Sequence, residues 1–216
     1  MSVYLNVVYV NQLNYGGGMT DPTGCWYCSA EMIGKTFESG PRFGVPEIHG
    51  ANGHAATGSD QATAMRRQAY ARKALSHRGG PMKAFRNTDD DHQMLAKREN
   101  LRPVEDHPGD WTLLQLEQLL RASGPIFFYW WKTPKGGGPN YGHASVLVGT
   151  DDATGRILFH DPEDGRDQTM RLQVFNELKQ DFKWGMMRRN GVTGGALVGA
   201  APGAADAAVD LGALFG

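Results

Sequence analysis

Apolar residues in this chain change their spacing from helical to alternating partway along. Near the start, Val3, Leu5, Val7 and Tyr9 alternate with their neighbours and predict a short strand, which Tyr15-Gly16-Gly17-Gly18 breaks. From Cys25 onward Trp26, Ala30, Ile33 and Phe37 fall at helical offsets, and Gly40-Pro41 closes that helix. Residues 40–58 are rich in Gly, Pro and His and read as irregular. A helix is expected over Asp60 to Ser76, ahead of Gly79-Gly80-Pro81, and a shorter one within Asp90 to Glu99. Thr112-Leu113-Leu114-Gln115 is a capping-box pattern, and Leu113, Leu116, Leu119 and Leu120 form an apolar face that stops at Gly124-Pro125.

Beyond that point the period shortens. Ile126 to Trp131, His143 to Thr150 and Ile157 to His160 are β-rich runs separated by Gly-rich or Asp-containing turns. A helix over Gln173 to Phe182 and a last strand over Lys183 to Arg188 complete the expectation. Helices first and a sheet second predict an α+β fold rather than an alternating α/β one. From Gly194 to Gly216 the composition collapses to Gly, Ala, Val, Leu and Asp with one proline, the character of a poorly ordered tail.

Composition narrows this picture. The 216 residues, 40% hydrophobic and 21% charged, suit one globular domain, placed over residues 1–190 with a tail over 191–216. A net charge of -1 provides no basic field for phosphate, so nucleic acid is not an expected partner. Met1 to Asn6 has no basic n-region, and no apolar stretch approaches the roughly 20 residues of a membrane span. Synthesis in the cytoplasm without a Sec signal is the expectation. Two cysteines, Cys25 and Cys28, are too few for a disulfide framework and fit a reducing compartment.

Cys25 carries the chemistry. A cysteine between Gly24 and a helix-periodic run sits at a helix start, where the macrodipole favours a thiolate. A thiolate nucleophile needs a base, and His143, in Tyr141-Gly142-His143-Ala144, opens an apolar strand after a glycine-rich loop. His49, His54, His77, His92 and His107 lie in polar surroundings and read as surface histidines. Asp161, in His160-Asp161-Pro162, ends the next strand and could orient His143, whereas His160 alternates to the other face. Gln12 is the candidate amide for an oxyanion, with Asn11 and Asn14 as its competitors. Cys25-x-x-Cys28 also fits a thiol-disulfide oxidoreductase, but that reading leaves His143 and Asp161 unused. As a zinc site it is only half a ligand set, and no metal or cofactor is expected.

An upstream Gln, Gly-Cys-Trp at a helix start, Gly-His-Ala before an apolar strand and a later Asp-Pro, in that chain order, resemble papain-like cysteine peptidases. The likeness is to the compact bacterial effector type related to the plant-pathogen avirulence proteases, in which a segment like Leu119 to Ile126 precedes the histidine strand. The resemblance implies a papain-like fold, with an N-terminal helical lobe carrying the Cys on its central helix and a C-terminal antiparallel β-sheet lobe carrying His and Asp. It implies Cys25 as nucleophile, His143 as general base and acid, Asp161 as orienter and Gln12 as oxyanion amide, although Asn14 to Thr23 makes the Gln-to-Cys spacing longer than usual. The implied activity is endopeptidase cleavage of a protein through a thioester, with amidase or transglutaminase-like transfer as the variant on the same groups. Effectors of this type are toxins delivered into other cells, often made beside a cognate immunity or inhibitor protein.

Overall fold

The computed structural model describes residues 2–12, 24–37, 88–105 and 109–191, the side chain of Arg98 excepted. The helix expected over Asp60 to Ser76, the glycine run at 16–18, the tail, Asn14, His49, His54, His77 and His107 lie outside the described residues. In chain order the elements are β1 (Val3–Tyr4), α1 (Cys25–Phe37), α2 (Asp89–Glu99), β2 (Leu101–Pro103), α3 (Leu113–Ser123), β3 (Ile126–Lys132), β4 (Tyr141–Asp151), β5 (Arg156–Asp161), β6 (Gly165–Arg171), α4 (Leu172–Leu178) and β7 (Met186–Arg189). The mixed helix and antiparallel-sheet content is that of the expected α+β class.

The strands form a seven-stranded sheet in the order β2-β7-β3-β4-β5-β6, with β1 added beside β4. All its ladders are antiparallel. The spine is β3 and β4, paired from Ile126↔Leu147 to Lys132↔Tyr141. Phe127, Phe128, Val146 and Leu147 are fully buried, as befits strands covered on both faces. Phe175 of α4 meets Phe128 edge-on and His92 of α2 meets Tyr129 edge-on, so these helices flank opposite faces of β3.

Local chemistry explains the helix starts. Thr88 caps α2 in a capping box with Asp91, and Thr112 caps α3 in one with Gln115. His92, expected at the surface, is instead 1% exposed. It begins the stripe His92, Leu95, Ala96, Glu99, which has helical spacing and turns inward, and its ring packs against Tyr129 and Phe182.

The alternation over Val3 to Tyr9 forms a ladder only at Val3–Tyr4. The chain then crosses from β4 to the end of β5 through single bonds: Leu5 N–H to Val148 O, His160 to Val7 O, the Tyr9 hydroxyl to Asp161 O and Gln12 N–H to Pro162 O. The close approach of β1 depends on Gly149, which pairs with Tyr4 beside a bulge in β4. A Cβ at Gly149 would sit 2.5 Å from the Val3 carbonyl oxygen and 3.3 Å from Tyr4 Cα. Both are backbone atoms held in the ladder. Gly149→Ala is therefore expected to lower unfolding stability by about 1–3 kcal/mol in urea titration.

Among the described residues no helix is long and apolar enough to cross a membrane.

Candidate active site

Cys25 is the first residue of α1 and is half-buried. The Gly24 carbonyl accepts the first helical bond, from Cys28 N–H, so Gly24 is the N-cap and has no side chain with which to close the helix. In α2 and α3 a threonine does that work. Among the described residues no side chain is seen capping α1, and no acidic residue lies in its first turn, so the positive end of the dipole acts on the Cys25 sulfur.

The ladder pairing places Tyr141, His143 and Ser145 of β4 on one face with Lys132, Trp130 and Phe128 of β3. On that face His143 Nε2 bonds Asp161 Oδ1 at 2.7 Å, both residues being 1% exposed. Cys25 stands beside the imidazole as well, where its charge and hydrogen-bonding capacity act on the ring. With Nε2 taken by the carboxylate, Nδ1 is the ring nitrogen left for Cys25. Burial pulls the imidazole pKa down, but the Cys25 charge and the hydrogen bonds to Asp161 and Cys25 outweigh it and leave His143 at about 9. Trp130 and Tyr141 stand edge-on to the imidazole at 5.9 and 5.8 Å, and Trp130 Nε1 is anchored on Ser145 Oγ at 3.0 Å.

Asp161 is held from every side by donors. Oδ1 also accepts the backbone N–H groups of Glu163 and Asp164, and Oδ2 accepts Lys132 Nζ at 2.8 Å. Burial alone would raise the carboxyl pKa; the bonds and charges of His143 and Lys132 reverse this and hold it well below the usual carboxylate range. Lys132, 4% exposed, reaches Glu163 Oε2 at 2.9 Å and Asp164 Oδ2 at 3.1 Å as well. Burial opposes its charge, and the three carboxylates more than restore it.

Of the sequence-predicted residues, Cys25, His143 and Asp161 come together. Gln12 is buried at 1%, tied by its N–H to Pro162 O at 2.9 Å in the turn that follows Asp161. Asn11, its neighbour, is half-buried. His160 faces away from His143: its Nδ1 accepts Asp167 N–H and its Nε2 meets Val7 O, the neutral tautomer of a structural histidine. Cys28 is wholly buried in the core, so the Cys-x-x-Cys spacing does not present two accessible thiols.

Lys132, Glu163, Tyr141 and Trp130 were not expected at the site. The one sequence signal was phase: Lys132 continues the alternation Ile126, Phe128, Trp130 of the strand's inner face. Donor atoms of His143, Asp161 and Glu163 lie within 4.8 Å of one another, a separation suited to a metal. The Lys132 ammonium already bridges two of those three residues, which satisfies their demand for a cation.

A thiol at a helix N-terminus, beside a charged imidazole that a carboxylate fixes from behind, is equipped for attack on an acyl carbon. A family model described as papain-like cysteine protease AvrRpt2 matches residues 1–180 of the chain.

Proposed function

The chain belongs to the family of papain-like cysteine protease AvrRpt2 and is a hydrolase, and from that premise we propose that Cys25, His143 and Asp161 form the catalytic triad of an endopeptidase. The observation that carries the assignment is the buried bond from His143 Nε2 to Asp161, with Cys25 as the other group acting on the same imidazole.

The Cys25 thiolate attacks the carbonyl carbon of a substrate peptide bond, forming a carbon–sulfur bond while the carbonyl electrons move onto oxygen. That oxyanion is met by the Cys25 backbone N–H, which has no intrahelical acceptor, and by the Gln12 side-chain amide. Collapse of the tetrahedral intermediate breaks the carbon–nitrogen bond, and His143 gives its Nδ1 proton to the departing amine. His143 then takes a proton from water, whose oxygen adds to the thioester; expulsion of the thiolate releases the acid and restores the pair. Asp161 keeps the ring in the tautomer and orientation these transfers need. Gln12 is supported by its anchorage beside Asp161 in the Pro162 turn.

The substrate is a protein, and the effector type that the chain resembles assigns it to a cell into which the enzyme is delivered. The test is N-terminal proteomics of a recipient-cell lysate treated with wild-type enzyme or Cys25→Ala. New termini made only by wild type are expected; none, in the presence of active-site labelling by a thiol-directed epoxide, would overturn the endopeptidase reading.

The pH profile follows from His143. An imidazolium with a pKa of about 9 is lost as pH rises through that value, so kcat/KM should fall above about pH 9 rather than near 6.5. The same sign holds for stability: what the charged His143 contributes is complete below about 6.5 and disappears as pH rises through about 9.

A further inference from the structure

More carboxylate surrounds His143 than one imidazole requires. Besides Asp161 on Nε2, Glu163 Oε2 lies 3.9 Å from Nδ1, the edge that serves Cys25. That is just beyond hydrogen-bonding reach. Two groups hold the Glu163 carboxylate there: Lys132 Nζ, at 2.9 Å, and the Tyr141 hydroxyl, both bonded to the same Oε2. Resting on the triad assignment above, we propose that Lys132, with Tyr141, is a positioning residue that keeps Glu163 off the imidazole edge used by Cys25.

Nδ1 carries a single proton, and only one acceptor can take it. A Glu163 carboxylate that moved inward by about 1 Å would come within hydrogen-bond distance and form a buried ion pair with the imidazolium. Cys25 would then lose the partner that stabilises its thiolate. Glu163 is 32% exposed by side chain, so it has room to move, whereas Lys132 at 5% does not. Lys132 is well suited to the task because its ammonium is pinned from a second direction by Asp161 Oδ2, and from a third by Asp164. The arrangement divides the carboxylate oxygens: Asp161 offers Oδ1 to His143 and Oδ2 to the lysine, and Glu163 and Asp164 are drawn to the lysine. A lysine supplies this because it has three donors and no acceptor.

The inference is tested by the rate at which iodoacetamide alkylates Cys25 at neutral pH, a measure of the thiolate pair that needs no substrate; Cys28 is wholly buried and does not contribute. Lys132→Met should slow alkylation by about 100-fold and Tyr141→Phe by about fivefold, with matching losses in kcat and KM within about twofold. Adding Glu163→Gln should restore at least about tenfold of the first loss and most of the second, while Glu163→Gln alone stays within about threefold of wild type. Tyr141→Phe removes one hydroxyl from a half-buried residue, so it keeps the test available if Lys132→Met does not fold. Losses of equal size with and without Glu163→Gln would overturn the inference and leave the triad standing. Slow alkylation of the wild type, together with Cys25-independent cleavage, would instead overturn the triad and this inference with it.

Discussion

Cys25→Ala is expected to lower peptide cleavage by at least about 10⁴-fold while leaving the fold intact. The size follows from the chemistry: no other accessible thiol is described at the site, and without a covalent intermediate the remaining groups can only position a substrate and polarise its carbonyl. Retention of the fold follows from the position. Cys25 is the first helical residue and half-buried, whereas α1 is buried on every side from Trp26 to Gly34, so its packing is made by residues other than Cys25. Alanine has the best helix propensity, so the change in unfolding stability should stay within about 1 kcal/mol. A further signature separates loss of the nucleophile from general damage. The Cys25 charge helps hold the His143 pKa at about 9, so its removal should bring that pKa down, which NMR titration of the ring would show. Full activity in Cys25→Ala would end the acyl-enzyme mechanism.

How far the chain could be read without its structure depended on whether a residue's surroundings came from its own segment. Cys25 was legible because a helix start is local: Gly24, then a helix-periodic run. The capping box at Thr112 was legible for the same reason, and so was the strand that carries His143. Asp161 could be paired with His143 because hairpin-connected strands are neighbours, and Val146↔His160 is the resulting register.

What stayed hidden were elements whose reason is distant. β6 reads Gly-Arg-Asp-Gln-Thr-Met-Arg, a polar stretch without strand character, and it is a strand because it lies on the free side of β5 at the sheet's edge. β2 is three residues long and exists because β7 offers it a partner. The helix expected to reach Phe182 stops at Leu178, where Lys179 and Gln180 turn to bond with Trp130 and Tyr129 of β3. His92 looked solvated by its acidic neighbours, and only helical phase turns it inward. Lys132 is the sharpest case. A lysine at the end of an apolar strand ordinarily marks the return to solvent, and here three carboxylates, from the end of β5 and the turn after it, draw it into the interior. Separation of about thirty residues between the partners leaves no local trace of that.

Those carboxylates lead to the second large effect. Asp161→Asn is nearly isosteric, and an amide oxygen can accept a hydrogen bond as a carboxylate oxygen does. Around Asp161, however, every neighbour is a donor: His143 Nε2, the N–H groups of Glu163 and Asp164 at Oδ1, and Lys132 Nζ at Oδ2. An asparagine has one acceptor atom, so its NH₂ must face either the ammonium or the imidazole and backbone donors. Facing Lys132, it sets donor against donor and removes one of the charges that compensate a buried cation. Facing His143, it permits only the wrong tautomer. Either orientation should cost about 10²–10⁴-fold in kcat and about 2–4 kcal/mol in stability. The acid side of the stability curve provides the control. Wild-type Asp161 has a folded pKa below its unfolded value of roughly 3.9, so its contribution is present above that value and is lost as pH falls through the folded pKa. Asparagine does not titrate. Its stability curve should therefore be flatter than that of wild type below about pH 4 and offset downward at neutral pH. Two curves of equal shape, with activity retained in the variant, would show that the charge on Asp161 supports neither His143 nor Lys132.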